Sequence, residues 1–243
     1  MRGRLVYVLN AGGTGNLTGF ELVDDRRLRP IANSTRALSS PAAGAAQVSF
    51  SPDGKHLVVT EKATNAISTY AVGRDGIATG PLVQPSIGAT PFGFAFSATG
   101  FLVVSEAFGG APGAGALSSY RLGAGGALQV VSASIGTTES AACWVVITNH
   151  GRFAYTSNTA SGTITGYALD AGGRLSILDA DGVTATTGAG PIDLALSRNS
   201  RFLYSLDGRS GAISAFRVQA DGSLSGRAGV SGLPAGANGL AAE

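Results

Sequence analysis

Gly162-Thr163-Ile164-Thr165-Gly166-Tyr167-Ala168-Leu169 is one of five variants of a single phrase in this chain. Gly15-Asn16-Leu17-Thr18-Gly19-Phe20-Glu21-Leu22 precedes it, as do Asn65-Ala66-Ile67-Ser68-Thr69-Tyr70-Ala71-Val72 and Gly115-Ala116-Leu117-Ser118-Ser119-Tyr120-Arg121-Leu122. Gly211-Ala212-Ile213-Ser214-Ala215-Phe216-Arg217-Val218 follows it. The aromatics Phe20, Tyr70, Tyr120, Tyr167 and Phe216 stand 50, 50, 47 and 49 residues apart. A constant period of this size marks a repeat architecture, in which each unit buries its apolar surface only by leaning on its neighbours.

The residues around the phrase supply the rest of a unit. Ala46-Gln47-Val48-Ser49-Phe50 alternates apolar and polar residues, as a half-buried strand does. Ser51-Pro52-Asp53-Gly54 is a turn, with proline presetting one φ angle and glycine accepting a positive one. Leu57-Val58-Val59-Thr60 is a continuous apolar run, the phrase is a third strand, and Arg74-Asp75-Gly76 turns into a fourth near Ile77. With the strands lettered A to D in that order, four antiparallel strands repeated radially describe a β-propeller blade. Strand A recurs at Gly93-Phe94-Ala95-Phe96, Trp144-Val145-Val146-Ile147 and Asp193-Leu194-Ala195-Leu196. No 3.6-residue period persists anywhere.

The expected fold is therefore all-β: one propeller domain over residues 1–243 with five four-stranded blades. The blades fall near 1–38 together with 234–243, then 39–87, 88–137, 138–187 and 188–233. The first unit starts at strand B (Leu5 to Leu9), whereas Gly236 to Ala242 align with the A strand Gly190 to Leu196. The C-terminal strand is thus expected to pair beside Val6 in the N-terminal blade and close the ring, which leaves no unpaired inner edge.

Composition removes several function classes. A net charge of +2, with 17 basic residues scattered along the chain, provides no basic stripe for nucleic acid. No apolar run approaches the roughly 20 residues that span a bilayer. Met1-Arg2-Gly3-Arg4 leads directly into a strand-like run too short for a secretory signal, so the expected location is cytoplasmic. The single Cys143 excludes an internal disulfide and a multi-cysteine metal site, and no metal or cofactor is expected. The 37 glycines suit tight turns between short strands.

On the propeller face where B–C and D–A connections emerge, here the top, strand B ends at Asn10, Glu61, Glu106, Asn158 and Asp207. One acid or amide per blade makes a polar collar, in which Glu61 and Glu106 are the candidate acid and base. Asn10, Asn158 and Asp207 are candidate substrate contacts. The same residues also read as turn caps that a repeat reproduces in every blade. Lys62 and Arg209 are the candidate anion holders, a guanidinium fork being the better of the two. Glu139 and Asp193 lie near D–A junctions, and the Gly/Pro-rich loop Ala107 to Ala114 is a candidate lid. His56 and His150 fall at A–B turns on the opposite face. Cys143 reads as a small buried hydrophobe, and Trp144 as a packing residue or a ligand-stacking one.

The units VSFSPDGKHLVVTEKATNAISTY and LALSRNSRFLYSLDGRSGAISAF resemble the lactonase-type β-propellers, which include 6-phosphogluconolactonase-like and carboxymuconate-cyclase-like proteins. The resemblance covers nearly the whole chain. It implies seven blades and well over 300 residues, so this chain looks about two blades short. It also implies a histidine at the start of a strand A, yet Ser40-Pro41-Ala42-Ala43, Ala89-Thr90-Pro91-Phe92 and Ala189-Gly190-Pro191-Ile192 hold none. The expected activity is that of a hydrolase or cyclase acting on a lactone of a small anionic sugar acid or related acid. The alternatives are a non-catalytic propeller that binds a protein or small ligand on its top face, and a truncated member without activity.

Overall fold

In all five repeats the quoted phrase forms an inner strand. Its aliphatic residues Leu17, Ile67, Leu117 and Ile164 are fully buried, as are Tyr70, Tyr120 and Tyr167. Small and hydroxyl residues between them, such as Ser68, Thr69, Ser118, Ser119 and Thr165, are buried as well, so both faces of the strand are covered in these copies. The computed structural model describes residues 3–243, so Met1 and Arg2 lie outside the described residues.

Five antiparallel sheets follow one another along the chain. The first contains β1 (Leu5–Asn10), β2 (Asn16–Asp24), β3 (Arg27–Pro30) and β4 (Arg36–Ala37), with β3 and β4 both paired to β2. The second is β5 (Ala45–Phe50), β6 (His56–Glu61), β7 (Ala66–Val72) and β8 (Ala78–Pro85). The third is β9 (Pro91–Phe96), β10 (Phe101–Glu106), β11 (Ala116–Leu122) and β12 (Leu128–Gly136). The fourth has β13 (Ala142–Ile147), β14 (Phe153–Asn158) and β15 (Thr163–Leu169), with β16 (Leu175–Ile177) and β17 (Ala185–Thr186) sharing the outer edge of β15. The fifth is β18 (Pro191–Leu196), β19 (Phe202–Asp207), β20 (Ala212–Val218) and β21 (Leu224–Ser231). These are the A–D strands of the repeat, except that the first sheet has no strand A; strand D is in two pieces in the first and fourth sheets.

A hydroxyl closes the A–B turn in four of the sheets. Ser51, Ser97, Thr148 and Ser197 accept the amides of His56, Phe101, Phe153 and Phe202 at 3.0–3.2 Å. A side chain thereby satisfies a backbone donor that the ladder leaves unpaired.

The chain divides into two units. One runs to Pro91 and includes Leu122–Gln129; the other comprises Phe92–Arg121 and Val130–Glu243. In the first unit Leu17, Leu57, Val59 and Tyr70 form the core with Tyr7, whose hydroxyl donates to the Gly76 carbonyl at 2.9 Å and accepts the Ala78 amide at 2.8 Å. In the second, Val103, Leu117 and Tyr167 make one cluster, and Tyr155, Ile164, Leu203 and Phe216 another.

The C-terminus departs from expectation. The first sheet draws its strands only from residues 5–37, and residues 234–243 form no strand. A turn in which the Ala237 amide donates to the Pro234 carbonyl at 3.1 Å redirects the chain. The Leu240 amide then donates to Asp193 Oδ2 at 2.7 Å. The segment expected beside Val6 is held on the fifth sheet instead, because a half-buried carboxyl captures its amide.

Candidate active site

The B-strand termini carry the polar collar, and the structure shows what their side chains do. Each is opposite the start of strand C, as in the pairs Glu61–Ala66, Glu106–Ala116, Asn158–Thr163 and Asp207–Ala212. Glu106 is fully buried: Oε1 accepts the Ser118 hydroxyl at 2.5 Å and Oε2 the Ser134 hydroxyl at 2.7 Å. Asp207, also fully buried, accepts Ser205 and Ser214 at 2.7 and 2.6 Å and the Gly188 amide at 3.0 Å. Asn158 donates to Thr163 and Thr165 at 3.1 and 2.8 Å, which leaves its buried Oδ1 without a partner. Exposed Asn10 donates to Asn16 at 2.8 Å.

Ser118, Thr165 and Ser214 occupy the fourth position of the repeated phrase, where Thr18 and Ser68 stand in the other two copies. Three of the five collar residues therefore fasten strand B to that hydroxyl within their own sheet. The second sheet varies the device. Glu61 is fully buried and takes the Ser39 amide at 3.2 Å, the Ser39 hydroxyl, and the Thr64 hydroxyl at 3.2 Å, whereas the Ser68 hydroxyl has no partner. Lys62, next in the chain, donates its amide to the Gly44 carbonyl at 3.0 Å.

The second unit contains a cavity of about 630 Å³ beside its own three B-strand termini. Glu106, Asn158 and Asp207 each directly precede a residue of its wall: Ala107, Thr159 and Gly208. These three residues thus lie one position behind the cavity wall. The wall is formed mainly by Phe92, Trp144, Ile192 and alanines, with Cys143 and the tail residues Gly236 and Asn238. Phe92 meets Trp144 edge-to-face, with ring centroids 5.9 Å apart and planes at 86°, a favoured aromatic geometry. Of the long loop from Ala107 to Ala114, only Ala107 lines the cavity; the Gly113 amide is tied to Ser140 at 2.9 Å. Glu139 accepts the Thr163 hydroxyl at 3.0 Å.

Trp144 is positioned from below. The Ser105 hydroxyl accepts the Gly93 amide at 3.0 Å and donates to the Cys143 carbonyl, so β9 and β13 approach closely. A methyl group at Gly93 would stand 2.5 Å from that carbonyl and 2.8 Å from Trp144 Cα. Gly93→Ala is expected to cost about 1–3 kcal/mol, the usual penalty for forcing an extra carbon into packed surroundings. The emission of Trp144, the sole tryptophan, should shift with it. Chemical denaturation followed by fluorescence measures both, and an unshifted spectrum with unchanged stability would show that the close approach does not hold the indole.

Arg209 is the only charged side chain on the cavity wall, and its guanidinium makes no hydrogen bond or ion pair among the described residues. Its stem lies across Gly190, where an added methyl would come within 2.7 Å of Arg209 Cγ, and Gly190 itself has a φ of +66°. Asp193 is not itself a wall residue: it follows Ile192, which is, and its carboxyl holds the amide of Leu240 in the tail that supplies Asn238. A bulge in the β18–β19 register between Pro191 and Asp193 re-aims this stretch. Burial raises the pKa of Asp193, an effect that the amides of Leu240 and Leu194 partly offset. His56 is buried at the start of β6, and His150 lines a separate cavity with Arg152 and Arg201. Among the described residues no cluster of His, Cys, Asp and Glu is arranged to hold a metal.

The family described as lactonase, seven-bladed β-propeller, matches residues 2–107 and 113–234. The chain belongs to that family. The break in the match falls within the long loop after β10. No curated protein sequence matches the chain. Among solved structures, this lactonase-family propeller is similar to a protein from Lactobacillus plantarum, with a TM-score of 0.79 and 18% identity over 95% of this chain and 69% of that one. It is also similar to the periplasmic gluconolactonase of Pseudomonas aeruginosa, with a TM-score of 0.76 and 19% identity over 96% and 69%. A third is a putative 6-phosphogluconolactonase from Bacteroides fragilis, with a TM-score of 0.74 and 18% identity over 93% and 67%. Identities this low speak for the fold alone.

Proposed function

We propose that this lactonase-family propeller opens the lactone ring of a small organic anion in the cavity beside Trp144. Arg209 carries the reading: a single cation with uncommitted N–H donors on an otherwise uncharged wall. A guanidinium offers the planar fork that a carboxylate or phosphate accepts. Asp193 takes the acid–base role that the residue pattern offers to Glu61 and Glu106, because both glutamates are fully enclosed whereas Asp193 is half-buried. The Asp193 oxygens, each accepting one backbone amide, keep lone pairs for water. In the proposed step, water adds to the lactone carbonyl carbon and Asp193 accepts its proton. The ring C–O bond then breaks, and Asp193 returns the proton to the departing alkoxide to give the hydroxy acid. Burial moves the Asp193 pKa towards the working range of a general base. Two of the structural neighbours bear gluconolactonase names, which supports a lactone as the reacting group.

Hydrolysis of a lactone panel that includes 6-phosphogluconolactone tests the reading. Arg209→Gln should raise KM by ~10–100-fold, the worth of one charge-assisted contact, with kcat less affected. Wild-type turnover no faster than that of an Asp193→Asn/Arg209→Gln double variant would overturn it. The enclosure of Glu61 and Glu106 also favours a second reading, in which the same cavity binds the anion without turnover. Saturable binding with no hydrolysis across the panel would select it.

A further inference from the structure

We infer that the ligand of this cavity is a monocarboxylate with an aromatic or aliphatic body, and not a polyhydroxylated sugar acid. The inference rests on the reading that the cavity beside Trp144 and Arg209 is the binding site. A sugar acid presents a row of hydroxyls, each of which loses its water partners on entering a cavity. The wall has few groups to replace them. The Thr159 hydroxyl already donates to the Pro191 carbonyl at 2.8 Å, and Asn238 Oδ1 accepts the Gly239 amide at 3.1 Å. Besides Arg209, only the Asn238 Nδ2 donors and the Thr159 lone pairs are left to meet a row of hydroxyls. Arg209 has free donors, but they stand together and suit one planar anion. The same wall carries the Phe92 and Trp144 rings in edge-to-face contact, and Ile192.

A polyol on this wall leaves hydroxyls unpaired, whereas a phenyl ring or branched alkyl group removes apolar surface from water on both sides of the contact. Recognition is asymmetric in the same direction: a wall without matched polar groups gains from apolar bulk and gains nothing from added hydroxyls. The substrates that follow are lactones carrying one carboxylate and a hydrophobic substituent.

Trp144 provides the test, because the only tryptophan of the chain stands on the wall itself. Its fluorescence is titrated with 3-phenylpropionate and with gluconate, two monoanions that differ in body and not in charge. Calorimetry repeats both titrations on Trp144→Ala and Arg209→Gln. The expected result is binding of 3-phenylpropionate at least ~10-fold tighter than gluconate. Trp144→Ala should narrow that gap, and Arg209→Gln should weaken both ligands together. Gluconate binding as tightly as 3-phenylpropionate, or neither ligand binding, overturns the inference. Apolar selectivity in a protein that hydrolyses no lactone leaves it standing and removes only the catalytic reading.

Discussion

Asp193→Asn is expected to lower kcat by ~10²–10⁴-fold, the range typical of losing a positioned general base, while the folded protein persists. Two effects on stability oppose each other. The raised pKa means that the folded state disfavours the charged carboxyl. Its stabilising influence is thus full at low pH and declines as pH rises through the folded pKa. Asparagine removes that cost at neutral pH. It also replaces one of two oxygens, each of which accepts an amide, from Leu194 at 2.8 Å and from Leu240 at 2.7 Å. The lost bond costs about 1 kcal/mol, so Tm should stay within about 4 °C of wild type. In the wild type, turnover should fall as pH drops through the raised Asp193 pKa, since only the ionised form accepts a proton. The variant should lack that acid limb. Stopped assays over a pH series with matched melting curves decide the matter. A variant with wild-type kcat and an unchanged acid limb would remove Asp193 from the chemistry.

The repeat carries almost the whole fold into the sequence, because each blade spells its strands with the same residues. Turns such as Ser51-Pro52-Asp53-Gly54 declare their geometry locally. The chain terminus was misread for a related reason. Gly236 to Ala242 match strand A in composition, but pairing depends on which acceptor captures the Leu240 amide, and Asp193 does so across the fold. A sequence pattern contains no information about that competition.

The cavity proposed as the site was legible in the sequence only in outline. It lies at the ends of B strands, where Arg209 and the residues after Glu106, Asn158 and Asp207 line it. Strand alternation turns the polar residue itself inward and the next one outward. The signal that distinguishes these outcomes is in the phrase: a hydroxyl at its fourth position in every copy, which in three of them meets the residue that ends strand B. Phe92, by contrast, had no such mark, because an aromatic at the start of a strand reads as core.

Glu106→Ala is therefore expected to destabilise the protein without being a catalytic change. The carboxyl fills a fully buried site and accepts Ser118 from β11 and Ser134 from β12. Ser118 in turn accepts the Ser134 amide at 2.8 Å, so one side chain organises the end of three neighbouring strands. Alanine strands the buried Ser118 hydroxyl and the half-buried Ser134 hydroxyl, at up to about 1–3 kcal/mol each, and leaves a void whose lining loses its contacts. The total is about 3–5 kcal/mol, or roughly a 10 °C fall in Tm for a chain of this size. Glu106→Gln separates fastening from chemistry. It preserves the volume and one acceptor, and the Ser134 hydroxyl can rotate to accept from the new amide. It should cost about 1 kcal/mol and leave kcat within about twofold of wild type, because no proton moves through this residue. Denaturant melts and turnover on the same preparations read both quantities. A Glu106→Gln protein that melts like wild type yet turns over no lactone would return the acid–base role to the collar and take it from Asp193.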